Sequence, residues 1–325
     1  MKLRAIVVSA LSVLLASTAP AFSAAQDYPD KPVSIVVPFA PGAADTVARV
    51  LAEHIGKVLN QRFIVENRPG ASGEIGVMYV KRAKPDGYTL LFATASQMSV
   101  NPQVRKVHYD PRHDFTNIAL LGVAPYVIAV NPSLGVDSIA DLIKYARSHS
   151  GPLKLGNAGV GSLSDEAALL FGQRTGLDVL SVPFKGTHPA AIAMEGGEVQ
   201  GVIATYVSFI AGVHAGKAKV LAVAAEKRLD VAPDVPTARE AGLKDFDVSQ
   251  WWGLYGPAGI PEPIVKKLNI AMNKVLRNDD VKKRMSALVA RPAGGSPGDL
   301  TAYLNKEYKK WGNVIRTQKS AHKPN

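Results

Sequence analysis

Two glycine-bearing stretches, PFAPGAADTVAR (38–49) and LGNAGVGSLSDEAALLF (155–171), each join an apolar run to a helical pattern. Backbone N–H groups at a helix start lack intrahelical partners and sit at the positive end of the dipole, so such turns suit an anion. In the first, Gly42 and the small Ala43 and Ala44 permit close approach. Asp45 can cap the helix and pair with Arg49 at i,i+4. A plain capped turn explains this stretch as well as a ligand cradle does. In the second, Gly156, Gly159 and Gly161 are spaced G-x-x-G-x-G rather than G-x-G-x-x-G, and no G-K-[ST] loop occurs, so no cofactor is expected. Ser162 and Asp165 have capping-box spacing, and Asp165 and Glu166 complement the helix dipole. The alternative is that one of these acids meets a cationic group, such as an amine. VPFKGTHPA (182–190) sets Lys185, Gly186 and Thr187 at a third strand end, where Lys185 either pairs with a carboxylate or faces solvent. TASQ (94–97) and Thr205–Tyr206 end further strands, the positions at which open α/β sheets bind ligands.

The elements that position these loops alternate between strand and helix. VSIVVPF, FIVEN and TLLFAT read as strands around the helix TVARVLAEHIGKVLN, with RPGASG a turn before a short helix near Glu74–Ala83. After ALLGVAPYVIAVNPS (119–133) the rhythm restarts with SIADLIKYARSH, whose Ser138 and Asp141 form a capping box. A second extended crossing, VSQWWGLYGPAG (248–259), leads into C-terminal helices opened by PEP and by Ser296-Pro297-Gly298-Asp299. This predicts an α/β fold with a mainly parallel sheet in two lobes and a cleft between them. Trp251 and Trp252, adjacent on the second crossing, are expected to pack on opposite strand faces, the alternative being that one lines the cleft.

Composition narrows the chemistry. The 325 residues contain no cysteine, which excludes disulfides, thiol catalysis and thiolate metal sites. There is no H-E-x-x-H and no G-x-S-x-G, and the seven histidines are dispersed. His188 reads as a surface or lining residue rather than a base. Of the formal charge of +11, Lys2 and Arg4 contribute two, in front of the apolar IVVSALSVLLA and small residues around AFSAA. Residues 1–25 therefore read as a cleaved secretory signal, with Gln26 the expected mature start. The remaining basic charge is interspersed with acids, which fits solubility rather than nucleic-acid binding.

The segments YPDKPVSIVVPFAPG, DTVAR, FIVENRPGASGEIG, KPDGYTLL, NAGVGS, VPFKG, DVPTAREAGL and WWGLYGPAGIPEP together resemble the Bug-type periplasmic solute-binding proteins, the soluble component of tripartite tricarboxylate transporters. The resemblance covers essentially the whole chain after the signal. It implies a two-lobe periplasmic-binding-protein-like fold (type II) with lobe 1 at 26–126 and 250–325 and lobe 2 at 127–249. It implies a monomer in the periplasm that takes a small organic acid, a carboxylate or dicarboxylate, to integral membrane subunits of such a transporter. By position it implicates Phe39, Ala40, Gly42, Ala44 and Asp45 in the first loop, and Ala158, Gly159, Gly161 and Ser162 in the second. Ser96, Gln97, Lys185, Thr187, Ala204 and Thr205 would shape the distal pocket; Asp165 is a further candidate ligand contact from the residue reading alone, toward a cationic group. The chain departs from the family pattern in having one glycine in the first loop. It also has Phe184 for Tyr, Asp165-Glu166 for His-Leu, and Ala204 for an acid. Two other readings share the cleft: a ligand-dependent partner of a membrane sensor, and a secreted hydrolase.

Overall fold

The computed structural model describes residues 28–321, and the signal segment read at 1–25 lies outside the described residues. The chain begins with β1 (Val33–Val37), α1 (Ala43–Leu59), β2 (Phe63–Asn67), α2 (Glu74–Lys81), β3 (Thr89–Thr94) and the short α3 (Asn101–Val104). β4 (Phe115–Val130) leads to α4 (Ile139–Ser148), β5 (Leu153–Asn157), α5 (Leu163–Thr175) and β6 (Val179–Pro183). α6 (Thr187–Glu195), β7 (Gly201–Thr205), α7 (Ile210–His214) and β8 (Lys219–Val223) follow. β9 (Ser249–Pro257), α8 (Glu262–Leu276), α9 (Asp279–Ala287), β10 (Arg291–Pro292) and α10 (Pro297–Ala321) complete the order.

Local sequence explains most of these elements. In α1, Val47, Ala48, Leu51 and Ile55 recur at helical spacing and are buried, giving the helix one face against the sheet. The helix ends where Asn60 turns left-handed (φ 50°), its N–H returning to the Gly56 carbonyl. α8 starts behind Pro261 with a second proline in its first turn, where the missing N–H costs nothing. α10 opens with a closed capping box: the Asp299 N–H donates to Ser296 Oγ, and the Ser296 N–H donates to Asp299 Oδ2 at 2.7 Å.

One sheet runs in the order β2-β1-β3-β9-β4-β7-β5-β6, with β8 and β10 also paired to β4. Its two outer parts are parallel, as the alternating pattern predicts. Its centre is not. The two crossings, expected as connectors, are the antiparallel strands β9 and β4 in the middle of the sheet. Residues 115–125 of β4 pair with β9, whereas 126–130 pair with β7 and β8. Pro125, which has no N–H to give a ladder, sits where β4 changes partners. The adjoining residues form a three-way backbone junction. Tyr126 donates to Val248 (2.9 Å), Val248 to Ala224 (2.9 Å), and Ala224 to Tyr126 (2.8 Å).

The sheet divides the core of the first half. On one face Trp251 packs edge-on against Tyr303, at 5.5 Å between centroids, beside Leu300, Leu304 and Trp311 of α10. On the other, Trp252 lies against Phe92 at 6.5 Å, beside Leu268 and Met272 of α8. The adjacent tryptophans thus serve opposite faces, as the two-residue strand period requires. α10 also touches α3 and α5, so it braces both halves of the molecule.

Candidate functional site

The first loop leaves β1 as Pro38-Phe39-Ala40-Pro41-Gly42, with Phe39 half-buried and the next three residues exposed. Gly42 is the N-cap of α1, and no side chain caps that helix start. Asp45 lies three residues into the helix rather than at its cap, because α1 begins at Ala43. Its expected capping role is therefore not realised, whereas its pairing with Arg49 is, at 2.8 Å. The Asp45 carboxylate also accepts from Asn67 Nδ2 (2.8 Å), which in turn reaches the Phe39 carbonyl (3.0 Å). Burial raises the Asp45 pKa, but the hydrogen bonds from Arg49 and Asn67 and the Arg49 charge outweigh it and hold the carboxyl below its ordinary range. Asp45 thus ties the loop to the end of β2 and leaves the helix start open.

Gly42 is extended (φ 173°, ψ −161°), a backbone open to any residue. A Cβ there would meet only the Ala40 carbonyl oxygen, at 3.9 Å. Neither conformation nor packing within the chain demands glycine. What a Cβ would remove is clearance at an uncapped helix N-terminus.

The sequence marks the loop from Arg68 to Gly73 only as a turn. It carries two consecutive left-handed residues, Ala71 (φ 48°) and Ser72 (φ 55°), each costing about 1–2 kcal/mol. The strained carbonyls are clamped: Ser72 accepts from Gln97 Nε2 (3.1 Å) and Asn101 Nδ2 (3.0 Å), and Ala71 from Arg105 Nη2 (2.7 Å). Glu74, at the start of α2, binds Arg105 Nη1 (3.1 Å) and the His108 backbone and ring. Burial raises its pKa, but those hydrogen bonds and the Arg105 charge bring it below the usual value. No sequence motif marks Asn101 or Arg105. Their only signal was proximity to Ser96–Gln97.

Gln97, expected to shape a pocket, is fully buried and spent on structure, accepting from Thr94 Oγ1 (2.8 Å) while donating to Ser72. Ser96 is half-buried, and its hydroxyl accepts the Leu163 N–H at 3.2 Å. That bond joins the helical turn after β3 (Ser96–Val100) to the start of α5, so the two halves meet at their strand ends.

Most N–H groups of the second loop are used within the chain. Ala158 N–H donates to Ser164 Oγ (2.8 Å), Gly159 N–H to Asn157 Oδ1 (2.7 Å), and Gly161 N–H to Asp165 Oδ2 (2.8 Å). Ser162 caps α5 by accepting the Asp165 N–H (3.2 Å). The reciprocal half of the expected capping box is displaced by one residue, since the Asp165 carboxylate takes Gly161 rather than Ser162. Its other oxygen accepts from Ser181 Oγ (2.6 Å) and Asn157 Nδ2 (3.2 Å). With both oxygens turned inward, Asp165 does not offer itself to a ligand amine.

Further along, Lys185 and His188 are exposed, and Thr187 Oγ1 accepts from Ser208 Oγ (3.1 Å). Thr205 is half-buried at the end of β7, while Ala204 is fully buried among Val127, Val202 and Tyr206. Among the described residues, a cavity of about 320 Å³ lies between α8 and β10 and one of about 700 Å³ between α1 and β2. The chemistry collected at the strand ends is therefore an open helix N-terminus on one side and, on the other, hydroxyls with a loop whose donors are mostly spent.

Residues 47–319 match the profile of the tripartite tricarboxylate transporter family receptor. The chain is similar to protein BugT of Bordetella pertussis, with 31% identity over 298 residues and 90% coverage of each chain. Among solved structures it is similar to MatC (Rpa3494) from Rhodopseudomonas palustris with bound malate. The identity is 36% and the TM-score 0.81, covering 89% of this chain and 100% of that one. It is also similar to R. palustris Rpa4515 with adipate, at 33% identity and TM-score 0.84, covering 90% and 98%. The fold is that of the two-lobe periplasmic binding proteins.

Proposed function

This chain belongs to the tripartite tricarboxylate transporter receptors, and from that premise we propose that it captures a small organic acid between its lobes in the periplasm and hands it to integral membrane subunits. It acts as a binding protein, with no chemistry on the ligand. Gly42 carries the reading: a glycine that neither fold nor packing requires, at the uncapped start of a 17-residue helix. The malate and adipate bound by the two solved relatives support a carboxylate as the ligand class. Export follows from the sequence of residues 1–25, and among the described residues no helix is long and apolar enough to cross a membrane.

The lobes are taken as 26–126 with 250–325, and 127–249. The change of partners along β4 at Pro125–Tyr126 supports the first boundary, and the Val248 junction the second. Such a junction of few backbone bonds is suited to hinge closure. Thermal denaturation with a panel of mono-, di- and amino-carboxylates tests the function, because a ligand selective for the folded state raises the melting temperature. A rise with at least one acid is expected, and a flat response across the panel refutes the carboxylate reading.

A further inference from the structure

The two loops at the strand ends differ in what they can still donate. At the first, the N–H groups of α1's opening turn face no capping side chain. At the second, most donors are used within the chain, the Val160 and Ser164 N–H groups aside. Ala158, Gly159 and Gly161 bond to Ser164, Asn157 and Asp165, and Leu163 bonds to Ser96. The Ser162 N–H goes to the Gly159 carbonyl and the Glu166 N–H to the Ser162 carbonyl.

The centre of this arrangement is a carboxylate. Asp165 is 7% exposed and receives three donated hydrogen bonds, from Gly161, Asn157 and Ser181. These are the kinds of donors, at the kind of helix start, that would otherwise receive a ligand anion. We propose that Asp165 is a specificity-determining residue: it fills the anion site of the second loop from within. The cleft then holds an acid by a single carboxylate on the first loop and disfavours a second carboxylate facing α5. This rests on the carboxylate-binding function proposed above and narrows its substrate class to acids whose far end is neutral or cationic.

A second carboxylate would find no free donor at Gly161 and would meet a fixed like charge, the arrangement that makes paired carboxylates unfavourable. Lys185, on the neighbouring loop, is the available counter-charge. It is exposed at the end of a flexible side chain, whereas Asp165 is buried and held at both oxygens.

The test is isothermal titration of the full-length mature protein with two length-matched series. One is butanoate, 4-aminobutanoate and succinate, and the other is hexanoate, 6-aminohexanoate and adipate. In at least one series the monocarboxylate or the amino acid is expected to bind about tenfold more tightly than the dicarboxylate, the effect of one uncompensated like charge. Asp165→Asn keeps an acceptor for the Gly161 N–H and removes the charge, so it should narrow that gap several-fold. Equal or tighter binding of the dicarboxylate by the unmodified protein overturns the proposal while leaving carboxylate capture intact. A folded Asp165→Asn protein with an unchanged gap overturns it as well. If no member of either series binds, the carboxylate reading falls and this inference with it. Because the unmodified protein decides the first comparison, the proposal stands or falls even if the variant does not fold.

Discussion

Replacing Gly42 by alanine separates a ligand cradle from a plain turn. In most proteins a Gly→Ala change at a special position damages the fold, but here the structure predicts the reverse. The residue is extended, and a new Cβ would be 3.9 Å from its nearest neighbour, the Ala40 carbonyl oxygen. With no strain and no clash, the main effect on stability is the lower entropy of the unfolded chain, worth about 0.4–1 kcal/mol in favour of the variant. Binding should move the opposite way. If a carboxylate seats on the N–H groups of the first turn of α1, the added methyl occupies its approach. Overpacking of that kind costs about 1–3 kcal/mol, which is roughly 5- to 150-fold in affinity. Chemical denaturation without ligand and isothermal titration with the best acid from the thermal panel give the two numbers. A variant that is at least as stable and binds at least about fivefold more weakly fits the reasoning. Unchanged affinity refutes it, because the glycine would then serve neither the fold nor the ligand.

Further outcomes follow from other contacts. Gly161→Ala places a Cβ 3.2 Å from Asn101 Oδ1 across the cleft, whereas Gly176→Ala, at the other end of α5, meets nothing within 4 Å. Both positions are left-handed (φ 75° and 66°), so both variants should lose about 1–2 kcal/mol of stability by denaturant titration. Only Gly161→Ala should also weaken ligand binding, and equal affinity losses would contradict the seam between the loops. Gln97→Ala leaves the Thr94 O–H without its acceptor and removes one of the two side-chain donors to the strained Ser72 carbonyl, so a loss of about 1–3 kcal/mol is expected in the same assay. A change within 0.5 kcal/mol would show the clamp to be dispensable. The Asp45 pKa is depressed in the folded state, so its stabilisation is full above the unfolded-state value near 4 and disappears as pH falls through the lower folded value. Asp45→Asn should therefore reduce stability at neutral pH and flatten the acid limb of the stability–pH curve. An unchanged acid limb would show that Asp45 is not coupled to folding.

The sequence made the local pieces visible where one principle acts alone. FIVEN and TLLFAT are strands with the bounds their apolar runs suggest, and the two tryptophans separate to opposite faces by strand periodicity. It was silent where the outcome depends on distant partners. An apolar crossing and a central antiparallel strand have the same pattern, because both are buried on each side; only pairing with β7, β8 and β9 makes β4 the axis of the sheet. Asp45 has the spacing for two roles, and the start of α1 at Ala43 decides between them. The Ser162–Asp165 spacing foretold one capping bond, but not that Gly161 would take the carboxylate. Nothing in RPGASG marks two left-handed residues, since their strain is held by Gln97, Asn101 and Arg105 from elsewhere in the chain. Ala204 and Gln97 lie near strand ends as expected, yet their burial depends on packing that no local pattern encodes.

A crystal structure with the tightest-binding acid tests most directly whether a carboxylate is held between the lobes. The prediction is a carboxylate within hydrogen-bonding distance of the N–H groups that open α1, with the rest of the molecule against the loops after β5 and β6. An acid seated in the cavity between α8 and β10 or in that between α1 and β2, or touching a single lobe away from Gly42, would contradict it.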